Sequence, residues 1–207
     1  MDLTATLIEK IFNPALVKIA EKVLTGVSDT STQADKCKIV YELTRNTELR
    51  ERIWNSTVKR VMITKDGTDP EYKWDYRYLE PSDSIYIISV KDDYDFTIES
   101  GYIKSDYTDS SNQLGVKYVQ AADITSGTAL DAEVTRWDTG LLNVMVCRVA
   151  AELAMVLKKK QSSQEKAWAL YERALEKSAI ANDFEDRHDR HNRNEEESSW
   201  VSCRGGD

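Results

Sequence analysis

Proline and glycine are scarce in this 207-residue chain, at three and eight residues, which excludes collagen-like and linker-dominated organisations. Cysteine is scarcer still. Cys37, Cys147 and Cys203 form an odd set with no C-x-x-C pair, so no disulfide framework is expected. Cys37 and Cys147 sit inside apolar helical patterns, as reduced core thiols do. The start of the chain lacks the basic run and apolar core of a signal peptide, and no uncharged apolar run of membrane-spanning length is evident. Both absences predict an intracellular protein without a membrane segment. The only two histidines, His188 and His191, have a helical ligand spacing but no third soft ligand nearby, so no metal site is expected. There is no Gly-rich phosphate loop, no G-x-S-x-G and no H-E-x-x-H, hence no predicted cofactor or catalytic motif. A basic excess is also missing. With 36 acidic against 28 basic residues, the net charge of −8 argues against a protein that coats DNA.

Hydrophobic residues make up 41%, enough at this length for a buried core rather than a disordered chain. The acid surplus is local. Residues 66–109 hold 12 acidic and 4 basic groups, and 183–207 hold 8 and 4, whereas 1–65 and 110–182 are near neutral.

Leu3, Leu7, Ile8 and Ile11 recur at helical spacing, and Asn13-Pro14 predicts a cap and first-turn proline for a second run through Leu24. Thr32 is the expected cap of the next helix, whose stripe is Cys37, Val40, Tyr41, Thr44, Leu49 and Ile53, ending near Trp54-Asn55. From Thr57 to about Gln120 the period alternates. Val58–Ile63, a run carrying Tyr72, Trp74, Tyr76 and Tyr78 on one face, Ile85–Val90, Phe96–Glu99 with Tyr102-Ile103, and Leu114–Gln120 read as strands. Helical spacing returns at Asp138 with Leu141, Leu142, Met145, Val149, Leu153, Val156 and Leu157, and Ala150, Ala151 and Ala154 allow close approach of a neighbour. Ser162-x-x-Glu165 is a capping box for a helix bearing Trp168, Tyr171, Leu175 and Ala179. Beyond Phe184 the pattern is charged and aperiodic, which predicts disorder in isolation. The expected fold is α+β. Helices from 1–56 and 137–183 bundle together, an antiparallel sheet or small sandwich is inserted at 57–136, and 184–207 forms a charged tail.

Asp92-Asp93-x-Asp95 is the densest carboxylate cluster, but it lacks the turn glycine of a calcium loop. A hydrolase pair could lie among so many acids, although most such residues form solvated loops. The Tyr72–Tyr78 stripe could stack nucleic-acid bases, but its acidic setting favours a core or subunit contact.

Several signatures occur in order: Ala34-x-x-Cys37-x3-Tyr41-x3-Arg45, Trp54-Asn55, Val58-x-Arg60-Val61, Trp74-x-Tyr76-x-Tyr78-Leu79-x-Pro81-x-Asp83, Gly101-Tyr102-Ile103, Val116-x-Tyr118-Val119 and Cys147-x-x-Ala150-Ala151-Glu152-Leu153-Ala154. Over residues 5–183 the chain resembles the podovirus (T7-like) tail tubular protein A, or head-to-tail adaptor, family. The resemblance implies a non-enzymatic structural protein of the virion tail, assembled in the host cytoplasm. It implies a homo-oligomeric ring, usually a dodecamer, joining the portal protein to the tail nozzle and in some relatives to tail fibres. Genomic DNA would pass through the lumen without sequence-specific binding. On that reading Phe184, Arg187, Arg190, Trp200 and Arg204 are candidate portal-binding residues, with Trp200 as anchor. Asp92, Asp93, Asp95 and Asp106 are candidate lumen- or nozzle-facing acids that repel phosphates. The alternatives are a tail-associated peptidoglycan-degrading enzyme using acids of the β lobe, or a monomeric binding module.

Overall fold

The computed structural model describes residues 3–158 and 160–197, with side chains described as far as Phe184. Trp200, Arg204 and Cys203 therefore lie outside the described residues. The chain folds as α+β, with helices at both ends and two three-stranded antiparallel sheets between them.

Thr4 Oγ1 accepts the Leu7 amide at 3.2 Å and opens α1 (Ala5–Leu7), which passes through a widened π-type turn, Ile8–Phe12, into α2 (Asn13–Lys18). Pro14 has no N–H for the usual i→i−4 bond, and the wider turn accommodates that loss. Asn13 is consequently not a cap. It is itself helical, and its side chain instead clamps the later backbone of Leu24, accepting its amide at 2.8 Å and donating to its carbonyl at 3.3 Å. The helix also stops at Lys18 rather than Leu24. Ala20 turns left-handed (φ 52°), with Ala20 N bonded to Val17 O and Glu21 N to Leu16 O, the paired bonds of a Schellman ending.

Helix α3 (Thr32–Glu51) starts one residue earlier than the sequence suggests, because Ser31 Oγ rather than Thr32 accepts the Ala34 amide at 3.2 Å. Its stripe buries Cys37, Val40, Tyr41, Thr44 and Leu49 as expected, but Ile53 lies beyond its end and is exposed. The C-terminal helices are α4 (Gly127–Arg136), α5 (Thr139–Leu157) and α6 (Gln161–Glu197). The sequence reading missed α4, a short helix whose apolar positions Leu130 and Val134 join the helical core. Asp138 caps α5 by accepting the Leu141 amide at 2.8 Å.

Helix α5 is long and apolar enough to cross a membrane by length and composition alone, although Arg148 and Glu152 interrupt its apolar sequence. Ten of its residues are buried against protein, Ala150, Ala151 and Ala154 among them, so that alanine face packs within the chain. Helix α6 begins at Gln161, which places Ser162 inside the first turn rather than at the cap. It continues to Glu197 in place of the aperiodic tail expected after Phe184.

In the β region, β1 (Val58–Thr64), β6 (Gln113–Gln120) and β3 (Ser84–Val90) form one sheet in the order β1-β6-β3. The second, ordered β2-β5-β4, comprises β2 (Tyr76–Leu79), β5 (Tyr102–Ser105) and β4 (Phe96–Glu99). The β4–β5 hairpin turns through Ser100 (φ 53°) and Gly101 (φ 79°), the two left-handed residues of a tight hairpin turn. Tyr78 and Ile103 of the smaller sheet pack against Ile87, Leu114, Val116 and Tyr118 of the larger. On the β6 strand, Val119 joins the helical core instead, coupling the two cores.

Candidate functional site

The strand registers define two ends of the β region. Val58 pairs with Val119 next to the helices, and Thr64 pairs with Gln113 at the opposite end. Three connections therefore meet at the far tip: residues 65–75, 91–95 and 106–112. Lys65 N bonds Asn112 O at 2.8 Å, Asp75 N bonds Asp106 Oδ1 at 3.0 Å, and Ser105 Oγ bonds Asp95 O at 2.9 Å. The Tyr94 and Tyr107 rings stack at 4.4 Å between the second and third connections.

This convergence brings together acids that are scattered in sequence. Asp66, Asp69, Glu71 and Asp75 come from the first connection, Asp92, Asp93 and Asp95 from the second, and Asp106 and Asp109 from the third. Lys65, Lys73 and Lys91 are the basic residues of the same three segments. All four candidate acids, Asp92, Asp93, Asp95 and Asp106, are exposed and lie on this tip. Several tip acids have architectural duties. Asp66 pairs with Arg77 at 2.5 Å, Asp69 pairs with Lys65 at 2.9 Å, and Asp109 accepts the Ser111 and Gln113 amides at 2.9 and 2.8 Å. Asp92 (φ 56°) and Asp93 (φ 52°) are left-handed where the chain crosses from one sheet to the other, a conformation that aspartate tolerates better than most residues. Turn geometry thus accounts for part of the densest carboxylate cluster.

The four-aromatic stripe does not form. Lys73 (φ 73°) breaks the extended run, and β2 begins only at Tyr76. Tyr78 is buried, Tyr76 and Trp74 are half-buried beneath Lys65 and Lys73, and Tyr72 is 83% exposed.

At the other end of the lobe, Asp83 accepts from Lys59 at 2.9 Å, Tyr118 at 2.8 Å and Gln120 at 2.7 Å, while its carbonyl accepts the Ala121 amide at 2.9 Å. Burial opposes ionisation of this carboxyl, but the three donated hydrogen bonds outweigh it and hold it below the usual carboxylate range. Just beyond, Arg45 and Glu133 form a buried ion pair, with Arg45 Nε to Glu133 Oε1 at 2.8 Å. Arg45 also donates to Ala122 O at 2.9 Å, and Glu133 accepts the Ala122 amide. The pair joins α3, α4 and the strand exit. A second buried carboxylate, Glu48, accepts from Tyr171 at 2.8 Å, and Arg148 lies 5.1 Å from the Trp168 and Tyr171 ring centroids. Burial raises the Glu48 carboxyl above its ordinary value and, with the neighbouring Glu48 charge, pushes the Tyr171 hydroxyl up to about 12.

Seven of the nine tip acids are exposed, with Asp66 and Asp109 half-buried, and a hollow between α3 and α5 is lined by Val40, Leu43, Thr44, Thr47, Arg148 and Glu152. Its two threonine hydroxyls are spent on the carbonyls of Val40 and Leu43. Among the described residues no group of three His, Cys, Asp or Glu side chains could hold a metal ion.

No family model matches the chain, and no curated protein matches it. The signature residues Ala34, Cys37, Tyr41 and Arg45 are all buried, so that motif records packing rather than chemistry. Of the candidate portal-binding residues, Phe184 is 58% exposed on α6. Arg187 and Arg190 follow on the same helix, their side chains outside those described. The sequence reading passed over Glu48, Glu133 and Arg148, and it named Arg45 only as part of a signature, without its partner. The only cue was a charged residue standing in or beside an apolar stripe.

Proposed function

We propose that this chain is a structural subunit of a phage head-to-tail adaptor, assembling as a ring, usually of twelve copies, between portal and tail nozzle. The helices from both chain ends act as one bundle, and the β region is an inserted lobe. The observation that carries this reading is the acidic tip: nine carboxylates from three separate connections converge on one exposed end, without an enclosing pocket. Repeated around a ring, such a surface repels phosphates and lets a duplex slide rather than adhere. Its effect is confined to about 10 Å at 0.1 M salt, so it acts at the channel wall. The reading is also supported by α6, which continues 15 residues past Asn182, roughly 22 Å of helix. Asn182 is the residue that fastens α6 to Asn55 and Ile53. The segment beyond it supplies an arm for the portal, with Phe184, Arg187, Arg190, Trp200 and Arg204 as its contacts. Truncation after Asn182 tests the arm. The shortened protein is expected to keep its fold by circular dichroism and to lose portal binding in a pull-down. Undiminished binding contradicts the assignment.

A further inference from the structure

One flank of α6 is exposed along about four turns of the helix. At about 3.6 residues per turn, Lys166, Leu170, Arg173, Lys177 and Ile180 fall within about 80° of one another. One edge of the flank adjoins the buried line Ala167, Tyr171, Ala174 and Ser178. The other adjoins Glu165, Glu172, Glu176 and Asp183, with Glu176 about 40° from Ile180. All five flank residues are exposed, with Leu170 at 45% and Ile180 at 59%. Among the described residues no carboxylate shares their sector. The flank is therefore apolar and purely basic.

The connection 66–75 has the opposite chemistry. It holds four acids and one lysine, and Tyr72, at 83%, is the most exposed large apolar side chain among the described residues. Asp69, Glu71 and Asp75 are exposed beside it. One copy cannot satisfy both surfaces with its own residues. The connection lies at the Thr64 end of β1, whereas α6 is fastened near Asn55, at the Val58 end, about 20 Å away along the seven-residue strand.

We infer that the Lys166–Ile180 flank of α6 is the docking surface for the 66–75 connection of a second copy of this chain. Tyr72 packs between Leu170 and Ile180, an aromatic anchor of the kind that concentrates interface energy, while Asp69, Glu71 and Asp75 meet Lys166, Arg173 and Lys177. Two different surfaces meet, so the contact is heterologous and propagates around a closed ring or along a filament. It deepens the adaptor reading and rests on it only for ring closure. It leaves Asp92, Asp93, Asp95 and Asp106 available to the channel.

The test uses full-length protein, with sedimentation velocity over a concentration series. Wild type is expected to self-associate, and less so as salt rises from about 0.05 to about 0.5 M. The triple variants K166E/R173E/K177E and D69K/E71K/D75K should each weaken association at least about tenfold. Mixing the two should restore it, because each then offers what the other lacks. Tyr72→Ala, which alters no charge, should weaken association with native circular dichroism. The inference is overturned if wild type stays monomeric throughout, if either triple variant associates like wild type, or if two folded variants fail to recover on mixing. A twelve-fold ring on portal formed by K166E/R173E/K177E would sink this contact and leave the adaptor reading standing. A filament or dimer through these surfaces would do the reverse.

Discussion

Ala20 shows how one side chain can oppose its own backbone. The Schellman ending of α2 needs a left-handed residue, and alanine bears a Cβ penalty there that glycine does not. Ala20→Gly is therefore expected to raise stability by about 1 kcal/mol in chemical denaturation. Asp83 illustrates the converse, a carboxylate held ionised by three donors. Its folded pKa lies below the unfolded value of 3.8, so its contribution is present above that pH and is lost as pH falls through the folded value. Asp83→Asn should cost about 1–3 kcal/mol at neutral pH. The difference from wild type should shrink below about pH 3.8, readable by urea unfolding at stepped pH. An unchanged difference at low pH would show that the loss is steric.

Among the elements, those with a clean period were readable from residues alone. The stripe of α3, the long apolar α5 and all of the hairpin-forming strands follow from spacing, because burial on one face imposes it. Illegible parts were those where two demands compete. Pro14 and Asn13 suggested a break, but a widened turn kept the helix continuous and turned Asn13 toward Leu24. Alternating aromatics suggested a strand from Tyr72, but left-handed Lys73 ended it. Helix α4 was too short to outweigh the strand pattern before it, yet its Glu133 carries half of the buried ion pair with Arg45. The acidic tip was half legible. The charge surplus was plain in sequence, whereas its convergence from three connections depends on the pairing of β1 with β6. The Arg45–Glu133 pair gives a sharp element-scale prediction. Arg45→Met strands a buried carboxylate and should cost about 3–5 kcal/mol, while Arg45→Met with Glu133→Leu should recover most of it. A double variant no more stable than the single would mean that the pair contributes beyond mutual neutralisation.

For the whole molecule, the net charge of −8 resolves into near-neutral segments at 1–65 and 110–182, an acidic stretch at 66–109 that supplies the tip of the β region, and a second acidic stretch at 183–207. That polarity is the basis of the proposed channel role, and it makes the position of the tip the central question. Electron microscopy of the purified protein mixed with the proposed portal partner measures it most directly. The account predicts a twelve-fold ring seated on the portal, with the tip carrying Asp92, Asp93, Asp95 and Asp106 toward the lumen or the nozzle face. Single copies scattered on the portal, no binding at all, or a ring with these tips pointing outward would contradict it.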